Sequence, residues 1–315
     1  MSNCLRRAAS ALATFASLAV LQGAPIVGLA QPPAQPLVQP PAPTRIVVNG
    51  AELHYIEQGR GEPLILLHGG QGDYRMWGPQ MAALAPNHRI ISYSRRYHYP
   101  NHNPPRADYS PHLDAEDLAA FINQLGLGRV HLVGTSIGAF AALALALKHP
   151  ELVRSMVLAE APLLAWAASS PAGAPLYRDF MARTHERAAP LFARGDDEGA
   201  MRVFVDAFDG EGTLDRLPPE RRRTVMDNVG YFRAITAATD PYPNLSKDAV
   251  RALGMPILVI HGAQTNPVNI FLSDALMEQL PRATRVVIPQ AGHGSPRQNP
   301  AAFNAAVLDF LRAQR

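Results

Sequence analysis

The sequence predicts an α/β fold, in which a mostly parallel central sheet is flanked by helices and carries a helical insertion. From Thr44 onward, short β-branched or apolar runs alternate with stretches of helical periodicity. The central runs, such as PLILL, are continuously apolar, as expected for parallel strands that helices cover on both faces. Between about residues 163 and 247 the alternation stops and only helical patterns follow. Alternating strands and helices favour crossover connections and a parallel sheet.

The segment 1–30 is predicted to be a secretory signal peptide. A pair of arginines precedes an Ala/Leu-rich run at 8–21, and the tripeptide GLA at 28–30 forms a small-x-small cleavage pattern. Gly23 and Pro25 shorten the apolar run below the roughly 20 residues that a membrane span needs. We therefore expect a secreted or periplasmic protein with no stable membrane insertion after removal of the signal; the arginine pair leaves a twin-arginine export route open.

Removal of this segment changes the charge and the cysteine content. The formal net charge of the whole chain is +3, and the segment holds two arginines and no acidic residue, so the mature chain carries +1. Since no Lys/Arg cluster runs along one face, we expect no nucleic-acid partner. Cys4, the single cysteine, leaves with the signal, which excludes disulfides and thiolate metal ligands from the mature chain.

A proline-rich linker, QPPAQPLVQPPAP at 31–43, precedes the folded domain. Proline fixes φ and the segment offers little to bury, so we expect an extended tether, with docking to a proline-reading module as the alternative. The domain is predicted to span 44–315.

The elements of the domain follow in order, without an internal repeat. The predicted strands are RIVV, LHYIE, PLILL, RIISYS, RVHLV, VRSMVLA, PILVIHG and TRVVI. The clearest predicted helices span 115–125, 137–148 and 299–312.

The predicted insertion, 163–247, is rich in aromatic residues: Trp166, Phe180, Phe192, Phe204, Phe208, Tyr231 and Phe232. An insertion at the carboxyl edge of a parallel sheet lies where such sheets bind ligands. The aromatic residues therefore either shape a pocket beneath a lid or hold the insertion together.

The strongest motif is GTSIG, with Ser136 between glycines 134 and 138, directly after strand RVHLV and directly before a helix. A serine on such a turn exposes its hydroxyl, and side chains two residues away on either side would clash. The helix N-terminus directs amides toward developing negative charge. The context favours a nucleophile over an ordinary serine N-cap.

Two further motifs complete a hydrolytic pattern. The run HGG ends strand PLILL, where the amide of Gly70 is available as an oxyanion donor, and His293 lies in a glycine-flanked loop before the last helix. HGG, GTSIG and AGH…NP in this order resemble the α/β-hydrolase superfamily over residues 44–315. The resemblance implies that Ser136 attacks an acyl carbon, that His293 transfers its proton, and that the amides of Ile137 and Gly70 hold the oxyanion.

The acid of the triad is absent from the usual loop. After PILVIHG this superfamily most often carries a carboxylate, yet the chain has AQTN. Glu160, at the end of the preceding strand, is the other position the superfamily uses, and a carboxylate after an apolar strand needs a partner. We expect a Ser136–Glu160–His293 triad. The alternative is that Glu160 pairs with an arginine or caps the insertion, while Asn266 or water orients His293.

Other acidic residues and histidines are weaker candidates. Asp117 is expected at a solvated helix position. His98 and His102 have i, i+4 spacing, but nearby prolines argue against the helix that would make this a metal site. We expect neither a metal nor an organic cofactor.

Substrate contacts are predicted for Tyr74, Trp77 and Trp166, with a core position as the alternative for Trp77. Arg95 and Arg96 follow strand RIISYS, either supporting their loop or holding a substrate carboxylate.

The predicted function is a serine hydrolase acting on a small or medium uncharged carboxylic ester or lactone. The same machinery also serves C–C bond hydrolases, amide hydrolases and acyltransferases. A non-catalytic ligand-binding relative is the alternative from a different class, because the usual acid position is empty.

Overall fold

The computed structural model describes residues 42–314. The predicted signal peptide and most of the predicted linker lie outside the described residues.

Eight strands form one sheet in the order β1-β2-β4-β3-β5-β6-β7-β8. The strands are β1 Thr44–Val48, β2 Ala51–Gln58, β3 Glu62–Leu67, β4 His88–Tyr93, β5 Val130–Thr135, β6 Val153–Ala159, β7 Ile257–Gly262 and β8 Thr284–Ile288. Strand β2 pairs antiparallel with β1 and β4, and every pairing from β4 to β8 is parallel. The predicted mostly parallel sheet is confirmed.

Helices cover both faces of the sheet. They are α1 Gly78–Leu84, α2 Pro111–Gln124, α3 Ile137–Lys148, α4 Leu164–Ala168, α5 Ala174–Arg183, α6 His185–Ala193, α7 Asp197–Asp209, α8 Thr213–Arg216, α9 Pro219–Asp227, α10 Val229–Ala237, α11 Lys247–Arg251, α12 Pro267–Gln279, α13 Ser295–Gln298 and α14 Pro300–Arg312. Two short 3₁₀ helices span Tyr74–Trp77 and Pro150–Leu152. None of the described helices is both long enough and apolar enough to cross a bilayer.

The continuous apolar run of β3 serves two cores. Ile65 and Leu67 join the core on the side of α2, α3 and the insertion, whereas Leu64 and Leu66 join the core formed with α1 and α14. Successive side chains of a strand point to opposite faces, so a strand with a core on each side must be apolar throughout.

The insertion between β6 and β7, hereafter the helical insertion (residues 163–251), contains helices α4 to α11 and, among the described residues, no strand. It leaves the sheet at the carboxyl end of β6 and returns before β7. Its aromatic residues therefore lie near the edge at which parallel sheets bind ligands.

The loop after β4 is held by buried ion pairs. Arg95 donates to Asp114 at 2.5 Å, and Arg96 donates to both carboxylate oxygens of Asp117 at 2.8 Å. The prediction of a solvated Asp117 is wrong: it is 1% exposed, because its carboxylate faces the loop after β4 and accepts from Arg96 and Asn49. The two arginines support their loop, as the first of the two interpretations proposed.

Candidate active site

Ser136 lies on a strained turn between β5 and α3. Its backbone has φ 53° and ψ −127°, a conformation that residues other than glycine rarely adopt. The amide of Ser136 donates to the carbonyl of Ala159 at 2.8 Å, which fixes the turn against the end of β6. Strain of this kind persists only where the surroundings enforce it, and it is concentrated at functional sites.

The glycines of GTSIG are required by close backbone contacts. A Cβ on Gly134 would lie 2.7 Å from backbone atoms of Ala139, and a Cβ on Gly138 would lie 2.3 Å from the carbonyl oxygen of Leu67. Both distances are far below van der Waals contact, and the atoms met are backbone. The turn therefore accommodates only glycine on either side of Ser136.

The loop after β3 approaches the serine from the opposite side. A Cβ on Gly69 would lie 3.3 Å from the Cβ of Ser136, and one on Gly70 would meet the ring of Tyr231 at 2.8 Å. Ile137 is the first residue of α3, a position whose N–H has no acceptor within its own helix. Gly70 and Ile137 line the same cavity as Ser136.

His68 supports this loop and is fully buried. Its Nδ1 lies 2.8 Å from the carbonyl oxygen of Gly69, and its Nε2 accepts from the amide of Arg95 at 3.0 Å. Burial, reinforced by the charge of Arg95, holds the pKa of His68 well below its usual value. A neutral ring that donates through Nδ1 and accepts through Nε2 satisfies both contacts.

Glu160 follows β6 and is 3% exposed. Its φ of 52° turns the side chain toward β7, where Oε1 accepts from the amide of Gly262 at 2.8 Å. Oε2 accepts from the hydroxyl of Thr265 at 2.7 Å and lies 2.6 Å from Nδ1 of His293. Charge-assisted hydrogen bonds of this kind offset the cost of burying a carboxylate.

His293 lies in the loop between β8 and α13, and its side chain is 14% exposed. Its ring stacks on that of Phe208 in α7, with centroids 4.9 Å apart and an interplanar angle of 18°. Burial of the ring lowers its pKa, but the hydrogen bond and charge of Glu160, together with the charge of Asp209, outweigh this effect, so the pKa of His293 is raised above 6.5.

Asn269, in the first turn of α12, is a site residue that the motifs did not identify. Its Nδ2 donates to Oε2 of Glu160 at 2.8 Å and lies 3.1 Å from Nδ1 of His293. Thr265 and Asn269 thus bind the carboxylate from the segment where the acid was expected. Asn266 instead donates to the carbonyl of Ala207 at 3.3 Å, so the alternative in which Asn266 orients His293 is not what the geometry shows.

A single cavity contains Ser136, His293, Gly70 and Ile137 in its wall. The helical insertion contributes aromatic residues to that wall: Phe180, Phe204, Phe208, Tyr231, Phe232 and Tyr242. Phe192 and Trp166 are not among the lining residues and pack within the core. Both interpretations of the aromatic residues therefore apply, each to a different subset.

The cavity lining does not include the three residues predicted to contact substrate, which are Tyr74, Trp77 and Trp166. Trp77 is fully buried in the core formed with α1 and α14, near Phe303. Trp166 is 1% exposed and donates from Nε1 to the carbonyl of Leu245 at 2.7 Å. Tyr74 packs against the same core as Trp77. A tryptophan or tyrosine next to a catalytic motif in sequence is placed by packing, and here packing directs all three away from the cavity wall.

No group of three or more His, Cys, Asp or Glu side chains suited to a metal ion occurs within residues 42–314. His98 is buried and stacks on Tyr231, with ring centroids 4.6 Å apart.

Comparison with known proteins decides the family. A family model described as alpha/beta hydrolase fold matches residues 62–300. The chain belongs to the α/β-hydrolase family. This α/β hydrolase is 29% identical over 274 residues to RutD of Caulobacter sp. (strain K31), named as a carbamate hydrolase, with 84% of this chain and 95% of that protein covered. It is 29% identical over 279 residues to 2-hydroxymuconate semialdehyde hydrolase of Pseudomonas sp. (strain CF600), with 84% and 92% covered.

A solved structure agrees on the fold. The thermophilic esterase from Thermogutta terrifontis superposes with a TM-score of 0.70 at 24% identity, over 87% of this chain and 99% of that chain.

Proposed function

We propose that this hydrolase cleaves a small or medium carboxylic ester or lactone through an acyl-enzyme on Ser136. The observation that carries the proposal is the 2.6 Å contact between Glu160 Oε2 and His293 Nδ1, because His293 lines the same cavity as the strained Ser136. A nucleophile, a base and an acid that orients the base are the three groups that acyl transfer requires.

In this mechanism Ser136 Oγ attacks the acyl carbon while Nε2 of His293 takes the hydroxyl proton. Glu160 accepts the Nδ1–H hydrogen bond, which leaves Nε2 as the basic nitrogen and stabilises the imidazolium that forms. The amides of Gly70 and Ile137 hold the oxyanion, and His293 returns the proton to the leaving oxygen. Water then repeats the sequence on the acyl-enzyme, with the same groups exchanging acid and base roles.

Ester and lactone substrates fit this site better than the alternatives on chemical grounds. An alkoxide leaves more readily than the nitrogen of an amide or carbamate, so the same three groups should turn over an ester faster than a matched amide. The aromatic wall supplied by the helical insertion suits an apolar acyl or aryl portion of the substrate.

Export of the protein to the periplasm or the exterior belongs to the same proposal and depends on cleavage after residue 30.

The test combines a substrate panel with covalent labelling. We expect release of 4-nitrophenol from 4-nitrophenyl esters of several acyl lengths, faster than hydrolysis of the matched anilide or carbamate. A fluorophosphonate should add one adduct to the intact protein, and peptide mapping should place it on Ser136. An anilide, a carbamate or a C–C substrate turned over faster than every ester would reassign the reaction. An unlabelled protein without turnover would favour a binding role.

The pH profile provides a separate prediction. His293 must be neutral to accept the serine proton, and its pKa is raised above 6.5. We therefore expect kcat/KM to fall on the acid side with a midpoint above 6.5, because protonation below the pKa removes the base. Ester hydrolysis in buffers of constant ionic strength gives the midpoint directly. A midpoint below 6.5 would contradict the pairing of His293 with an ionised Glu160.

A further inference from the structure

Arg221 places a cation in the wall of the cavity. It lies in the first turn of α9, and its guanidinium donates from Nη1 to the backbone carbonyl of Gln71 at 3.0 Å and from Nη2 to Oε1 of Gln71 at 3.3 Å. A guanidinium carries five N–H donors, so these two contacts leave three for other acceptors. Both residues line the cavity that contains Ser136.

The two carboxylates whose charge acts on Arg221, those of Asp209 and Asp73, contact other arginines. Asp209 lies 3.6 Å from Arg297 at the cavity wall, and Asp73 binds Arg75 at 2.7 Å. Within the described part of the chain, Arg221 forms no ion pair. Counting Asp, Glu, Lys and Arg, three charged residues line the cavity: Asp209, Arg221 and Arg297. The wall therefore carries one acidic residue and two arginines.

This arrangement carries an electrostatic cost. Burial of the guanidinium, together with the nearby charge of Arg297, lowers the pKa of Arg221 to about 10. The residue stays charged at neutral pH, and no carboxylate within residues 42–314 forms an ion pair with this half-buried charge. A bound anion would compensate this charge and would use the remaining donors.

We infer that Arg221 binds a carboxylate of the substrate, so that the natural ester or lactone is an acidic one. The inference rests on the proposed function and specifies its substrate class. It replaces the expectation of an uncharged substrate. Since Gln71 follows Gly70, Arg221 holds the anionic end on the wall that carries the oxyanion loop. An arginine is suited to this role because its planar fork matches a carboxylate.

The alternative role for Arg221 is structural. Its bonds to Gln71 tie the helical insertion to the oxyanion loop, and a tie of this kind would affect every substrate equally. The experiment must therefore compare substrates that differ only in the carboxylate.

The test uses two matched ester series. The mono-4-nitrophenyl esters of succinate, glutarate and adipate carry a terminal carboxylate, whereas 4-nitrophenyl butyrate, pentanoate and hexanoate have the same chain lengths without it. For at least one length we expect the full chain to prefer the acidic ester in kcat/KM. Arg221→Gln should lower that preference about tenfold or more, mainly through KM, which is the scale of one hydrogen bond to a charged group. Arg221→Lys should keep part of the preference, and Arg223→Gln, an exposed position on the same helix, should keep all of it.

The outcomes separate the two proposals. Equal losses on both series, or no preference at any length, would overturn the inference and leave the ester hydrolase intact. If neither series is turned over, the proposed function fails. In that case binding of the glutarate monoester to Ser136→Ala, measured by calorimetry with and without Arg221→Gln, decides the inference. Binding that does not weaken on replacement of Arg221 would refute it.

Discussion

Replacing Ser136 with alanine is expected to lower kcat for 4-nitrophenyl ester hydrolysis by about 10⁶-fold, the loss seen when a triad serine is removed. The hydroxyl is the only group that the mechanism supplies as a nucleophile, and its removal also leaves His293 without a proton to transfer. A residual rate over the uncatalysed reaction is expected, because the amides of Gly70 and Ile137 would still hold an oxyanion formed by attack of water. Initial-rate measurements at saturating substrate give the loss.

The fold should be unaffected by this replacement, since alanine keeps the Cβ and the same strained backbone. Urea unfolding of Ser136→Ala should therefore match that of the unaltered protein. Ser169→Ala, an exposed serine of the helical insertion, serves as the control and should retain full turnover. Retention of more than about a thousandth of the rate by Ser136→Ala would assign the nucleophile to another residue, because no triad of this type works so well without its serine.

Much of the fold was predictable because its determinants are local and periodic. The strand RVHLV, the turn around Ser136 and the helix 137–148 follow from apolar runs, glycine spacing and a helical pattern that all agree. The helix of 137–148 has the predicted bounds, since the serine turn fixes where it begins. The start of α2 was predicted four residues too late, because proline is tolerated in the first turn of a helix and Pro111 is its first residue.

The part of the candidate site that could be predicted from the sequence includes the buried carboxylate of Glu160, because a buried charge needs a partner. The family resemblance indicated His293, and the rule that a carboxylate at the end of an apolar strand requires a partner led to Glu160; the structure places the two 2.6 Å apart. Asn269 and Arg221 carried no such signal. Asn269 reaches the site because α12 packs against β7, and Arg221 reaches it because α9 packs on α7 and α10 beside the loop of Gln71. Both side chains meet partners that are more than 100 residues away in the chain. For the same reason an aromatic residue such as Trp77 gave no indication of which side of the sheet it would occupy.

The replacement Glu160→Gln is expected to lower turnover by roughly 10⁴-fold, as when a triad acid becomes an amide. The carboxylate accepts from Gly262, Thr265 and Asn269 as well as from His293, so all of its neighbours are donors. An amide presents one nitrogen that cannot accept, and the ring of His293 then loses the partner that holds Nδ1 protonated. Nε2 becomes the protonated nitrogen in much of the population, and it can no longer take the proton of Ser136.

A second measurement separates this effect from general damage to the fold. Loss of the carboxylate removes the contribution of Glu160 that raises the pKa of His293, so the acid-side midpoint of kcat/KM for the residual activity should move downward. Asp274→Asn changes an exposed acid on α12, the helix that carries Asn269, and should alter neither turnover nor midpoint. If Glu160→Gln kept turnover within tenfold, or lost it with an unchanged midpoint, Glu160 would not be the residue that orients His293. The buried contact between them would then serve to hold the His293 loop against the ends of β6 and β7.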